Sequence, residues 1–514
     1  MRPIRLLAAF LTVSLWTFVS RIAGFVRDVL IAAYLGAGPV AEAFLIAFTL
    51  PNMFRRFFAE GAFTVAFVPM YAKRLEAGEN ATEFGRDAFA GLATVLIVFT
   101  VLATLAMPWL VLGMAAGFQG DERFDMAVTY GRICFPYILF ISLAALLSGV
   151  LNAMGRFLAA AATPTLLNLV FIAAMLAADR AGWPMGPTLA WAVPVSGALQ
   201  LAMLWWAAAR AGFAPALRLP RLTPEMKRLA IIAGPAMLAG GVVQINLIVG
   251  RQVASFFEGA VAWLSYADRL YQLPLGIVGI AIGVVLLPDL SRRLRSGDAQ
   301  GGRDSYNRAT EFALILSVPA AVGLAVAAHP IVSVLFERGA FAATDTAATA
   351  LAVGVYALGL PAFVLQKVLQ PLYFAREDTR RPFRFAVWAM VVNAVIAVGL
   401  APVIGYIAAA MATTVAGWTM VWQLARNARD MGPEALYDER LRRKLPRLVL
   451  AAVGMGAALW GLQQVLTPAL ATPGLRYVAL AGLIAAGCAA YGVLGTLFGA
   501  FSPADLRRAL RRGA

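Results

Sequence analysis

Residues 50–63 read LPNMFRRFFAEGAF, which places a proline, two adjacent arginines and a glutamate inside an otherwise apolar run. The run extends from about residue 40 to residue 69, which is long enough to cross roughly 30 Å of hydrocarbon at 1.5 Å per residue. A charged side chain inside such a span costs about 2.5–3.5 kcal/mol, so it usually faces a water-filled cavity or a partner. The stretch therefore predicts a membrane-spanning helix whose charged side chains face a water-filled cavity or a partner.

The whole chain has the composition of a membrane protein. Of its 514 residues, 61% are hydrophobic and 14% are charged, against about 25% charged in a soluble domain. Apolar stretches of spanning length predict an all-α polytopic membrane protein with fourteen transmembrane helices. The predicted spans are 7–34, 40–69, 87–117, 126–154, 163–178, 187–209, 229–256, 262–290, 309–327, 346–374, 385–400, 404–425, 448–466 and 477–499.

The basic residues are distributed unevenly between the two sides of this predicted topology. Of the Lys and Arg residues outside the spans, 31 fall on the side of the N-terminus and 4 on the other side. This asymmetry satisfies the positive-inside rule and predicts that both termini are cytoplasmic. The net charge of +16 is thereby explained without a nucleic-acid partner.

An internal repeat divides the spans into two sets of six. Leu50-Pro51 precedes AFVPMYAKRL in the second span, and Leu273-Pro274 precedes LLPDLSRRL in the eighth. The repeat predicts two six-helix lobes of parallel topology around a central cavity, with two helices added at the end. The expected domains are residues 1–220, 221–430 and 431–514.

Several arginines within the spans are the candidate site residues. Arg21, Arg27, Arg55 and Arg269 come from three helices, and a guanidinium keeps its charge and matches phosphate oxygens with a planar fork. Together they predict an anion-binding cavity. The alternative is that each arginine closes an ion pair and only fixes helix packing. The further candidate cavity residues, which include the acidic partners, are Asp28, Glu42, Glu60, Asp268 and Lys367.

Two further expectations concern the second predicted span. Arg56 and Glu60 are i,i+4 neighbours and are expected to pair. Pro51 and Gly61 are expected to bend the long helix and expose Arg55 to the cavity, with simple kinked packing as the alternative.

These stretches resemble a known family. The segments SRIAGFVRDVLIAAYLGAG, EAFLIAFTLPNMFRRFFAEGAFTVAFVP and SYADRLYQLPLGIVGIAIGVVLLPDLS, with SGVLNAMGRF and TPTLLN between them, are similar to the MurJ/MviN family of bacterial lipid II flippases. That family belongs to the multidrug/oligosaccharidyl-lipid/polysaccharide exporter superfamily. The resemblance covers the whole chain, including the two additional C-terminal helices.

The resemblance implies a function. It implies a transporter that moves lipid II, the undecaprenyl diphosphate-linked disaccharide-pentapeptide, from the inner to the outer leaflet of the cytoplasmic membrane by alternating access. It implies that the family's cavity arginines are Arg21, Arg27, Arg55 and Arg269. Glu42 matches an acidic position that is aspartate in some members, and Thr49 stands where some members have lysine. Spans 13 and 14 would border a groove for the lipid tail.

Other functions are weighed against this expectation. A polysaccharide-lipid flippase or a cation antiporter of the same superfamily is the related alternative, and the arginine set disfavours a cationic substrate. A membrane-embedded phosphatase or glycosyltransferase is the alternative from another class, and no catalytic constellation supports it. We expect no cofactor and assign no metal site, while coupling to sodium or to the membrane potential stays open. The expected partners are lipid II, the phospholipid bilayer and the cell-wall synthesis machinery, with the chain itself a monomer.

Overall fold

The regular structure of the described chain is helical. The computed structural model describes residues 3–56, 58, 64–216 and 218–501, and within these ranges the side chains of residues 3–11, 64–65, 235–246, 277–285, 287 and 294 are left out of the description. The described residues form eighteen α-helices and short 3-10 turns at Ala116–Phe118, Arg429–Met431 and Pro433–Ala435. The helices are α1 (Pro3–Leu35), α2 (Pro39–Arg55), α3 (Thr64–Ala77), α4 (Ala81–Leu105), α5 (Met107–Met114), α6 (Glu122–Cys134), α7 (Tyr137–Ala153), α8 (Leu158–Ala181), α9 (Met185–Arg210), α10 (Pro224–Ser255), α11 (Ala260–Arg295), α12 (Ala299–Val326), α13 (Ala328–Phe336), α14 (Ala343–Phe374), α15 (Arg380–Ile404), α16 (Ile407–Ala428), α17 (Glu439–Ala471) and α18 (Leu475–Leu497).

Ten helical segments of the described residues are long and apolar enough to cross a membrane. They coincide with the predicted spans three to six and nine to fourteen. The other four predicted spans coincide with α1, with α2 and α3, with α10 and with α11, and each of these includes residues left out of the description. The membrane-spanning, all-helical class is therefore found in the structure, while the count of fourteen stays a prediction.

The chain divides into two compact units. The first comprises Met1–Ala262 together with Arg338–Phe341, and the second comprises Trp263–Glu337 together with Ala342–Ala514. By its contacts α10 groups with the first unit, where it packs on α3, α4 and α5. The predicted lobe boundaries at residues 220 and 430 stay predictions.

Close helix packing in the first unit depends on small residues. A Cβ at Gly197 of α9 would lie 2.7 Å from the Tyr137 ring of α7, and one at Gly117 would lie 2.5 Å from the Ser255 backbone. Glycine lets the helix backbones approach in a protein whose lipid-facing surfaces offer no hydrophobic driving force.

The second unit contains α12 and the last two helices in one packed group. α17 packs on α12, where a Cβ at Gly456 would lie 2.7 Å from Val322, and α18 packs on α17. The Tyr491 hydroxyl of α18 donates a hydrogen bond to the Ile315 carbonyl of α12 at 3.0 Å. At the start of α17, Lys444 donates to Glu311 of α12 at 2.5 Å. Both additional helices, α17 and α18, are therefore hydrogen-bonded to α12.

Candidate functional site

Arg27 of α1 is buried and held on two sides. Its Nε and Nη2 donate to Oδ1 of Asp28 at 3.0 and 2.6 Å, and its Nη1 donates to Oδ1 of Asn168 at 2.8 Å. Its guanidinium carbon lies 5.7 Å from the centroid of the Phe171 ring. This pairing with Asp28 is the ion pair expected if Arg27 only fixes helix packing. A role of Arg27 in substrate contact stays a prediction.

Asn168 of α8 is a member of the site that sequence reasoning missed. Its Nδ2 donates to the Ser20 carbonyl of α1 at 3.0 Å while its Oδ1 accepts from Arg27. The asparagine therefore connects α8 to α1 and fixes the orientation of the guanidinium. An amide inside the apolar run of the fifth span was the available signal, because a buried polar group needs a partner.

Tyr137, at the start of α7, is buried in the first unit. Its hydroxyl donates to Oε1 of Gln200 on α9 at 3.4 Å, and Nε2 of Gln200 donates to the Thr163 carbonyl of α8 at 2.8 Å. These hydrogen bonds connect α7, α9 and α8 through buried polar groups.

The end of α2 presents Arg55 at a break in regular α-helix. α2 is helical through Pro51 and ends at Arg55, and Arg56 and Phe58 have π-helical geometry. Such geometry inside a helix is frequent at functional sites. The expected Arg56–Glu60 pair and the expected bend at Gly61 lie outside the described residues.

Arg21 has an exposed side chain on α1. It precedes Arg27 by six residues, which places it about 9 Å away along the axis and about 120° around the helix. Within the described residues no ion pair of Arg21 is found. An exposed guanidinium on a membrane-spanning helix has the chemistry to meet an anion.

Glu42 of α2 is fully buried and is held by contacts with α6 and α11. Its Oε2 accepts from Nη1 of Arg123 at 2.9 Å, and its Oε1 accepts from the backbone N–H of Val261 at 3.0 Å. Glu42 therefore joins α2 to α6 and to the first turn of α11. This position was predicted as a cavity acid, and the structure places it in an ion pair.

Arg123 is a second residue whose role the sequence did not indicate, because it was counted as an outer-loop charge. Its Nε donates to Oδ2 of Asp121 at 2.6 Å, and its guanidinium carbon lies 4.5 Å from the Phe118 ring centroid. Asp121 also caps α6 by accepting from the backbone N–H of Arg123 at 3.0 Å. That backbone N–H, followed by the Arg123 side chain, holds the pKa of Asp121 below its usual range.

The remaining candidates lie in the second unit. Asp268 of α11 accepts a hydrogen bond from Nε2 of Gln272, and its neighbour Arg269 has an exposed side chain. Lys367 of α14 is also exposed. Because these residues belong to the other unit, the convergence of Arg269 with Arg21, Arg27 and Arg55 stays a prediction.

Arg27 is oriented by Asp28 and Asn168, and Arg21 on α1 and Arg55 on α2 belong to the same unit. Guanidinium groups held by neighbouring side chains bind phosphate with less loss of side-chain entropy than free ones.

Comparisons with known proteins match this chain over nearly its full length. A family model described as "Lipid II flippase MurJ" matches residues 31–475. A "Probable lipid II flippase MurJ" of Rhizobium tropici is 43% identical over 99% of this chain and 97% of its own length. The "Lipid II flippase MurJ" of Burkholderia cenocepacia is 37% identical over 78% of this chain and 79% of its own length.

Solved structures agree with the sequence matches. One described as "Lipid II flippase MurJ, inward closed conformation" aligns with a TM-score of 0.79 and 25% identity over 95% of this chain and 98% of that chain. An inward-facing MATE family transporter of the MOP superfamily aligns with a TM-score of 0.68 at 12% identity over 83% of this chain and 99% of its own, which indicates a shared fold. The resemblance indicated by the sequence motifs is confirmed, and the chain belongs to the MurJ family of lipid II flippases.

Proposed function

We propose that this chain is a lipid II flippase that moves the undecaprenyl diphosphate-linked disaccharide-pentapeptide from the inner to the outer leaflet for cell-wall biogenesis. The observation that carries the proposal is the match along 99% of the chain to relatives named for this activity. A match to only part of the chain would support the fold and not the function, because one fold hosts many functions.

The chemistry of the first unit supports a diphosphate substrate. Arg27 is oriented by Asp28 and Asn168, and Arg55 lies at the end of α2 in the same unit. A diphosphate loses part of its hydration when it enters a site that excludes bulk water. Several cationic hydrogen-bond donors are therefore needed to stabilise its charge there. We further propose that Arg21 and Arg269 complete this site when the cavity closes on the headgroup.

The proposal includes a location and an architecture. We infer fourteen spans in the cytoplasmic membrane, both termini on the cytoplasmic side, two six-helix lobes that alternate in access, and a lipid-tail groove bordered by α17 and α18. The 31-to-4 asymmetry of basic residues supports the orientation. We expect a monomer that works as a transporter and not as an enzyme, in contact with the cell-wall synthesis machinery.

Depletion of the protein in its host tests the function. In cells without a redundant flippase, depletion is expected to lower the fraction of lipid II that is accessible on the outer leaflet, and re-expression is expected to restore it. Unchanged accessibility would contradict the proposal. Hydrolysis or glycosyl transfer by the purified protein would instead support an enzyme.

We propose that the transport cycle is driven by the membrane potential or by a sodium gradient, without a bound cofactor. Asn393 of α15 is a candidate oxygen ligand, because its Oδ1 is buried and accepts no hydrogen bond within the described residues. The side chains of the other candidates, Gln244 and Asn246, are outside the description. Transport is measured in vesicles with an imposed membrane potential, with and without sodium. This measurement separates a cycle driven by the potential from one driven by a sodium gradient.

A further inference from the structure

A groove of about 480 Å³ runs along the second half of α9 in the first unit. Its lining is apolar and comes from one face of α9 and from α7: Phe140, Ala198, Leu201, Ala202, Trp205 and Ala209, with Trp206 at the rim. From Ala198 to Ala209 the helix rises about 16 Å, which is close to the roughly 15 Å that one leaflet contributes to the hydrocarbon core. The groove therefore has the length of one lipid acyl chain.

A cation lies at the end of this groove. α9 ends at Arg210, whose guanidinium carbon stands 4.1 Å from the centroid of the Trp206 ring. Trp206 is 58% exposed, and Arg210 makes no ion pair within the described part of the chain. A guanidinium at this distance from an aromatic ring can still donate hydrogen bonds from its N–H groups to an anion.

The same pair recurs 216 residues later in the second unit. Trp422 and Arg426 lie on α16, and the guanidinium carbon of Arg426 is 5.4 Å from the Trp422 ring centroid. Trp422 is 59% exposed, which nearly equals the exposure of Trp206. α9 and α16 are the sixth predicted span of each half, so the pair repeats at corresponding positions.

Recurrence at corresponding helix ends indicates a role at the membrane surface. Tryptophan is enriched where hydrocarbon meets headgroups, and basic residues beyond it lie at the level of the phosphates. By the positive-inside count, both helices end on the cytoplasmic side. The positive-inside count therefore predicts that the Trp206–Arg210 pair and the Trp422–Arg426 pair each lie at the cytoplasmic leaflet.

We propose that the α9 groove and Arg210 form a binding site for an anionic glycerophospholipid of the bilayer. One acyl chain occupies the groove, Trp206 covers the glycerol region, and the phosphate accepts hydrogen bonds from Arg210. Trp422 and Arg426 make the corresponding headgroup contact in the second unit. An anionic headgroup is preferred because a zwitterionic one brings its own ammonium near the guanidinium.

Lipid binding to the purified full-length chain tests this site. Native mass spectrometry measures the affinity for phosphatidylglycerol and for phosphatidylethanolamine with identical acyl chains. The unmodified protein is expected to prefer phosphatidylglycerol. Arg210→Ala is expected to weaken phosphatidylglycerol binding about five-fold, since one surface cation contributes about that factor, and to weaken phosphatidylethanolamine binding less. Arg426→Ala is expected to have a similar effect.

A second variant tests the groove itself. Ala202→Phe fills the space between Leu201 and Trp205, so it is expected to weaken the binding of both lipids. The matched control is Arg180→Ala, which removes an exposed arginine from the last turn of α8 and is expected to change neither affinity.

Three outcomes would overturn the proposal. One is equal affinity of the unmodified protein for the two lipids. Another is unchanged phosphatidylglycerol binding in both Arg210→Ala and Ala202→Phe. The third is displacement of phosphatidylglycerol by equimolar undecaprenyl phosphate, which would assign the groove to the polyprenyl lipid. None of these results bears on flipping, so the proposed function is judged separately.

Discussion

Nη1 of Arg27 lies 2.8 Å from Oδ1 of Asn168, a residue 141 positions later in the chain. The same asparagine donates to the Ser20 carbonyl at 3.0 Å, so α8 holds both the backbone of α1 and its buried cation. Three N–H groups of Arg27 bond to Asp28 and Asn168, and a guanidinium has five. The other two make no hydrogen bond within the described residues.

Asn168→Ala is expected to reduce transport more than it reduces the amount of protein. The change removes the acceptor that orients Arg27 and leaves a buried donor without its partner, at a cost of about 1–3 kcal/mol. Growth complementation and membrane protein level measure the two effects. Asn152→Ala, which changes an exposed asparagine of α7, is the matched control. Full complementation by Asn168→Ala would show that Arg27 needs no such orientation.

Arg27→Ala is expected to lower both protein level and transport. Asp28 would lose the guanidinium that lies 2.6 Å away, and removing one member of a largely desolvated ion pair costs on the order of 3 kcal/mol. Adding Asp28→Asn is expected to restore the protein level without restoring transport. If the double variant also regains transport, Arg27 serves packing alone.

Arg55→Ala is expected to abolish complementation at a normal protein level. Its partly exposed side chain lies at the end of α2, and an uncharged residue there removes the proposed contact with the diphosphate as well as a membrane cost. Arg55→Lys keeps the charge but loses the planar fork, so we expect partial function at most. Arg180→Ala at the end of α8 controls for loss of an exposed arginine. Normal growth with Arg55→Ala would remove this residue from the site.

Glu42→Ala is expected to destabilise the purified protein by on the order of 3 kcal/mol, because it leaves the Arg123 charge buried with Asp121 alone. Arg123→Ala is expected to cost a similar amount. The double variant is expected to cost less than the sum, since the two residues share one interaction. Thermal unfolding in detergent measures each value. Additive losses would mean that the 2.9 Å contact contributes nothing to stability.

Cysteine labelling tests the orientation of the chain. Exposed positions Ala77 and Ser296 lie on the predicted cytoplasmic side, and exposed Ala343 lies on the outer side. Cysteines at the first two are expected to be shielded from impermeant thiol reagents in intact cells, and one at Ala343 is expected to react. The background is Cys488→Ala, because Cys488 is exposed while Cys134 is buried. Labelling at position 77 would reverse the topology.

The sequence by itself determined the class of the protein and the family to which it belongs. Apolar length and the side on which Lys and Arg accumulate are sums over neighbouring residues, so they can be read without knowing which helices touch. The motifs around Arg27, Arg55 and Arg269 are likewise contiguous, and they identified the MurJ family before any fold was described. The Asp28 partner of Arg27 was accessible in the same way, since it is the next residue.

Only the tertiary structure decided which distant partners these charges have. Glu42 meets Arg123 across 81 residues, and Arg27 meets Asn168 across 141. The groove beside Arg210 exists because α7 packs on α9 and leaves alanines between larger side chains. A buried charge selects its partner from whichever helix packs beside it, and helix packing depends on shape complementarity over the whole unit, which no local pattern contains.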